Sequence, residues 1–130
     1  AARAAIEPAA VRWGAFADAP SLVTLTSSAF DYAARGEHQE VSAINQRFHR
    51  TLVAALGSPT LNEQMDNLLA RMRLTFLLAI PRYPQLHADH IQGNITLATL
   101  IADGKRREAA TLAHDSLMNT CEKILAVLDD

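Results

Sequence analysis

Apolar residues recur every three to four positions along most of this chain. Turn residues break the pattern around Asp18-Ala19-Pro20, Gly36, Gly57-Ser58-Pro59, Pro81-Arg82-Tyr83-Pro84 and Gly104. That spacing is the mark of amphipathic helices, and the breaks divide the chain into six of them. The first covers about Ala2 to Ala17, with Pro8 opening its main part or kinking it. Asp18 and Pro20 suit the start of the second, which stops near Gly36. The third runs from Glu37 to Leu56, before Gly57. Ser58 then caps a long fourth helix that has Pro59 in its first position and reaches Ile80. The fifth runs from about Gln85 to Asp103 and stops at Gly104, and the sixth continues to about Leu128. Only Leu22-Val23-Thr24-Leu25-Thr26 has local β character, and its neighbours restore helical spacing. Connections this short favour antiparallel neighbours, so the expected fold is an all-α antiparallel bundle of about six helices, forming one domain over residues 1–130.

The same periodicity places polar residues on faces that are otherwise apolar. On the third helix Val41, Ile44, Phe48, Leu52, Ala55 and Leu56 form the stripe, with Asn45 and His49 one turn apart on its edge. On the fifth, His90 and Asn94 interrupt the line Leu86, Leu97, Ile101. On the sixth, Ser116 lies within Ala109, Ala113, Thr120 and Ile124. The fourth offers Met65, Leu69, Met72 and Phe76 to the core, with Arg73 beside them. Polar groups that face a core must find partners. Either each of these is separately satisfied, or several helices line one polar cavity, as ligand sites in bundles are built.

Composition narrows the functional classes. The chain is 49% hydrophobic and 20% charged, with no apolar run of membrane-spanning length and no signal-peptide pattern. Twelve basic against fourteen acidic residues give a net charge of −2, which argues against a phosphate-backbone grip. Lys105-Arg106-Arg107 is the nearest approach to a basic cluster, and it reads as a solvated face. Cys121 is the single cysteine, excluding a disulfide framework and a cysteine metal site and fitting a reducing, cytoplasmic compartment. A di-metal carboxylate enzyme needs Glu-x-x-His motifs, which the sequence lacks. Ser116 and His49 have no evident acid or oxyanion donor to complete a hydrolase. The expectation is therefore a protein that is not an enzyme.

Three segments in order carry a family resemblance. Asn45-Gln46-Arg47-Phe48-His49, followed by Leu52, Ala55 and Gly57-Ser58-Pro59-Thr60-Leu61, resembles the D/N-x-x-F-H … A-x-x-G-N-P-x-L segment of the FCD effector domain. FCD is the ligand-sensing half of FadR-type GntR-family bacterial transcription regulators. Arg3-Ala4-Ala5-Ile6-Glu7-Pro8-Ala9-Ala10 resembles the R-x-x-x-E-x-x-A opening of that domain. The stretch from Leu97 through Leu100-Ile101 and Gly104-Lys105 to Ala109 resembles its closing segment. The six-helix count resembles the VanR-like subgroup.

Many FCD domains bind a divalent metal through an Asp, a His four residues on, and two further His twenty-two residues apart. Those roles fall on Asn45, His49, Asn94 and Ser116, of which only His49 keeps its ligand type. Amides and a hydroxyl are poor transition-metal ligands. His90 lies one turn before Asn94, whereas His114 faces away from Ser116; His87 and His90 have i, i+3 spacing but no third partner. The expectation is a site without metal or other cofactor.

The resemblance then implies a C-terminal effector-binding and dimerisation domain, with contact to DNA only through a winged-helix domain outside this chain, no membrane association and a cytoplasmic location. With the family's Asp and metal both replaced, the expected effector is a small anionic metabolite, an organic acid. Asn45, His49, Arg73, Asn94 and Ser116 would hold it, with Arg73 as the carboxylate fork and Arg71 as the second candidate for that role. Two other readings stay open: a dimerisation module with a vestigial pocket, and a metal-dependent effector domain that uses His49.

Overall fold

The computed structural model describes residues 2–128, the side chain of residue 128 excepted. It contains six helices, α1 (Ala2–Trp13), α2 (Ala19–Ala34), α3 (His38–Ala54), α4 (Pro59–Ala79), α5 (Leu86–Ala102) and α6 (Arg106–Leu128), with no strand among the described residues. The all-α bundle expected from periodicity is the fold observed.

Local chemistry explains the boundaries. The Asp18 carboxylate accepts from the Ser21 N–H at the head of α2, and the Ser58 hydroxyl accepts from the Leu61 N–H at the head of α4. Gly36, Gly57 and Gly104 have φ of 71°, 69° and 78°, a left-handed geometry that stops α2, α3 and α5 without a Cβ penalty. Thr26 is buried inside α2 and donates its hydroxyl to the Leu22 carbonyl, so the β-prone segment stays helical with its polar atom satisfied.

α1 ends at Trp13, not at Ala17 as the periodicity suggests. Gly14 explains the difference. A Cβ built there would lie 2.7 Å from Ala55 Cβ and 2.5 Å from Ala10 O, so the chain passes too close to the end of α3 for any side chain. The Ala15 N–H then donates to the Ala55 carbonyl at 2.9 Å. Arg106 secures the same corner, donating to the Val11 and Gly14 carbonyls that the end of α1 leaves free. The middle of the Lys105-Arg106-Arg107 run is thus a structural clamp.

α1 packs mainly on α6, and α2 on α5 and α3, with α4 against α3. The central core joins Val11, Leu22, Phe48, Leu52, Leu97, Ala98, Ile101, Ala109 and Ala113. Fully burying one such Leu or Phe contributes about 1.5–3 kcal/mol. A second cluster joins Phe76, Ala79, Leu86 and Ile124 where α4, α5 and α6 meet. Between the two clusters α1, α3, α5 and α6 bring polar side chains together.

Candidate functional site

The site starts on α1. Arg3 and Glu7 are four residues apart and share one helix face, and that face is turned inward, leaving Arg3 5% and Glu7 1% exposed. Arg3 Nε donates to Glu7 Oε2. The other carboxylate oxygen, Oε1, contacts Nδ1 of His49 on α3, itself 5% exposed. Two buried charges and an imidazole therefore form one chain across two helices.

Electrostatics sets the protonation state of that chain. Burial pushes the Glu7 carboxyl up, but the charges of His49 and Arg3 and their hydrogen bonds outweigh it and hold it down to about 2. An ionised carboxylate only accepts, so the Nδ1 of His49 carries the proton that bridges to Glu7. His49 Nε2 is left facing away from Glu7, buried and without a hydrogen-bond partner. His90 on α5 is in the same position at its own Nε2. Burial, reinforced by the neighbouring His49, Arg3 and His87, lowers His90 to about 3, so its imidazole is neutral near pH 7.

Glu7, His49, His90, Asn94 and Ser116 line a common cavity of about 140 Å³, with Gly93, Ala113 and Thr120 among its other walls. At its rim the Tyr83 hydroxyl donates to Asp89, which raises Tyr83 to about 12, and Lys123 lies 5.9 Å from the Tyr83 ring. His90 also forms the wall towards a more apolar groove of about 250 Å³ between α1, α4 and α6. Arg3 lines that groove, and its Nη2 is a third buried nitrogen without a partner.

His49, Asn94 and Ser116, three of the five residues expected from sequence, share the 140 Å³ cavity; Ser116 stands at an exposed part of its wall. Asn45 lies one layer away, where its Oδ1 accepts from Asn94 Nδ2 at 2.7 Å and ties α3 to α5. Arg73 does not reach the cavity. It lies exposed on α4 and donates to Gln46 Oε1, because α4 turns Leu69 and Phe76 inward and leaves position 73 on its flank. Arg71 is exposed as well, at the edge of the 250 Å³ groove. The buried guanidinium in this region is Arg3, and the cavity is not purely basic, since Glu7 and Asp89 line it.

Arg3 and Glu7 stand out in the sequence only through the family motif, and His90 only as a polar residue on an apolar face and a spare metal ligand. Their signal was present in the i, i+4 spacing of Arg3 and Glu7 and in the common face of His90 and Asn94.

The donor set does not fit a transition metal. Asn45 Oδ1 is already engaged by Asn94, and among the described residues no three His, Cys, Asp or Glu side chains converge on a point that could hold an ion. Nor is any helix among them long and apolar enough to cross a membrane.

The family model for the FCD domain matches residues 1–119 of the chain. No curated protein and no solved structure matches it.

Proposed function

The chain belongs to the FCD-domain family, the effector-binding domain of GntR-family regulators, and from that premise we propose that it binds a small organic acid at the cavity around His49 and His90. FCD is a regulatory ligand-binding family and not a catalytic one.

One observation carries this reading: Arg3 Nη2, His49 Nε2 and His90 Nε2 are all buried, all without a partner, and all on residues lining the cavity or the groove that shares His90 with it. A buried polar atom left unpaired costs about 1–3 kcal/mol. Three of them on adjoining walls are a receptor for polar atoms brought from outside. Arg3 Nη2 and a neutral His90 with its proton on Nε2 donate to a carboxylate. His49 Nε2, whose ring is oriented by Glu7, accepts from a hydroxyl of the same ligand. The Asn94 amide and the Ser116 hydroxyl complete the polar wall. A cavity of about 150 Å³ admits a molecule the size of benzene, so the effector has a skeleton of roughly six non-hydrogen atoms.

In this reading the site works without a metal. The link between α3 and α5 comes from the Asn45–Asn94 hydrogen bond, and the donors for the acid come from the Arg3 guanidinium and the His90 imidazole. Effector binding would favour one arrangement of the helices and so change how a DNA-binding domain outside this chain is presented.

A homodimer belongs to the same proposal. Leu74, Leu77 and Leu78 lie on one side of α4 and are 62%, 63% and 62% exposed. Three leucines on one helix face form an apolar surface suited to a second copy of the chain. Titration calorimetry with short organic acids tests the effector reading: saturable binding that weakens in His90→Phe supports it, and heat-free titrations across the series oppose it.

A further inference from the structure

We propose that a groove of about 390 Å³ between α3, α4 and α5 is a second anion site, taking a phosphate group on Arg73, His38 and His87. It shares no lining residue with the cavity at His49.

Arg73 has charge to give. Among the described residues it donates to the neutral amide oxygen of Gln46 and takes part in none of the ion pairs. A guanidinium presents five N–H donors in a planar fork, so most of its donors are available to an anion. His38 is the first residue of α3 and His87 the second of α5, and their rings stack with centroids 5.7 Å apart at 23°. Protonating one ring disfavours protonating the other: burial first, then the charge of His38, keeps His87 below its ordinary value. An anion beside the pair removes that penalty.

The charged and titratable groups that face the groove are His38 from α3, Arg73 from α4 and His87 from α5, with no carboxylate among its walls. Of the acids nearest in sequence, Glu37 is paired with Arg35 at 3.2 Å, Asp89 accepts from Tyr83, and Glu40 is two residues from His38, on the other side of the helix. A metal ion on the two imidazoles would meet Arg73 with no negative ligand to offset it. An anion gains from all three groups. Gln39 and Ser42 add an amide and a hydroxyl, and Phe76 and Ile80 provide an apolar floor for an organic substituent. A phosphate, with three strong acceptor oxygens, matches this donor set.

The test follows the imidazole NMR signals of His38 and His87 while inorganic phosphate, glycerol phosphate or sulfate is added at constant ionic strength. All three should perturb both rings saturably. Arg73→Gln, at an exposed position, should weaken binding by about tenfold or more, the equivalent of one charged hydrogen bond. Sulfate keeps its charge through neutral pH, so its affinity should rise as the pH is lowered and His87, held below its ordinary value, takes up a proton. Tighter binding of glycerol phosphate than of phosphate assigns the organic part to the Phe76 floor; equal affinity assigns recognition to the phosphate group alone. Should Arg73→Gln fail to fold, His38→Gln at the other exposed position takes its place with the same expectation. Perturbations that match sodium chloride, or that are unchanged in the variant, overturn the proposal.

Discussion

Glu7 on α1 holds the Nδ1 edge of His49 on α3 across forty-two residues of sequence, and that bond decides which edge of the imidazole remains free for a ligand. Arg3 neutralises the carboxylate from its other side, which makes the buried charge tolerable.

The first prediction concerns acid stability. Glu7 is depressed from 4.5 to about 2 in the folded protein, so its stabilising contribution is present above pH 4.5 and disappears as pH falls through about 2. That contribution is on the order of 3 kcal/mol. His90 adds a slope at higher pH. Its folded value of about 3 lies below the ordinary 6.5, so the unfolded chain binds the extra proton and stability drops as pH falls between those values. Urea unfolding at a series of pH values should show both windows. Glu7→Gln should flatten the lower one and cost about 3–5 kcal/mol near pH 7, because it leaves Arg3 buried without a counter-charge. His90→Leu should flatten the upper one.

A second prediction separates two glycines. Gly14→Ala drives a methyl into Ala10 O and Ala55 Cβ, neither of which can move aside easily, and should destabilise by about 1–3 kcal/mol. Gly93 lies inside α5 with nothing within 4 Å of its virtual Cβ, so Gly93→Ala should stabilise by about 0.5–1 kcal/mol. Thermal melts of the two variants should move in opposite directions.

Much of this architecture was legible in the sequence because Gly, Pro and capping residues stand at the helix ends while apolar residues keep helical spacing between them. The end of α1 was not legible. Ala15, Phe16 and Ala17 prolong the apolar pattern, and only the approach of Gly14 to Ala55, a tertiary event, stops the helix. At the candidate site, spacing placed His49, Asn94 and Ser116 on facing helices. It misplaced Arg73, since a residue at the edge of a core stripe is turned inward or outward by how its helix packs. Arg3 and Glu7 were passed over for a related reason: an Arg–Glu pair on a short helix ordinarily faces water, and here tertiary packing buries it.

The metal-free reading yields a third prediction. Protein purified without chelators should contain no stoichiometric zinc, nickel or manganese by elemental analysis. About one ion per chain, lost in His49→Ala, would instead place His49 and His90 in a metal centre and refute the role given to the Asn45–Asn94 bond.

The exposed leucines of α4 supply a fourth. The chain should sediment as a dimer at micromolar concentration, and Leu74→Glu with Leu78→Glu should convert it to a monomer that keeps its helical spectrum. A wild-type monomer, or a dimer indifferent to both substitutions, would remove α4 as the interface.

The most direct measurement of the central claim is a thermal-shift screen of short organic acids and their neutral amides against wild type, Gly93→Leu and Arg73→Gln. At least one acid should stabilise wild type, by roughly 2.7 kcal/mol at a hundred times its dissociation constant. The shift should vanish in Gly93→Leu, whose side chain fills the cavity, and persist in Arg73→Gln, which lies outside it. Stabilisation by the amides alone, by no compound, or by an acid that acts equally on Gly93→Leu would contradict an acid-binding site between His49 and His90.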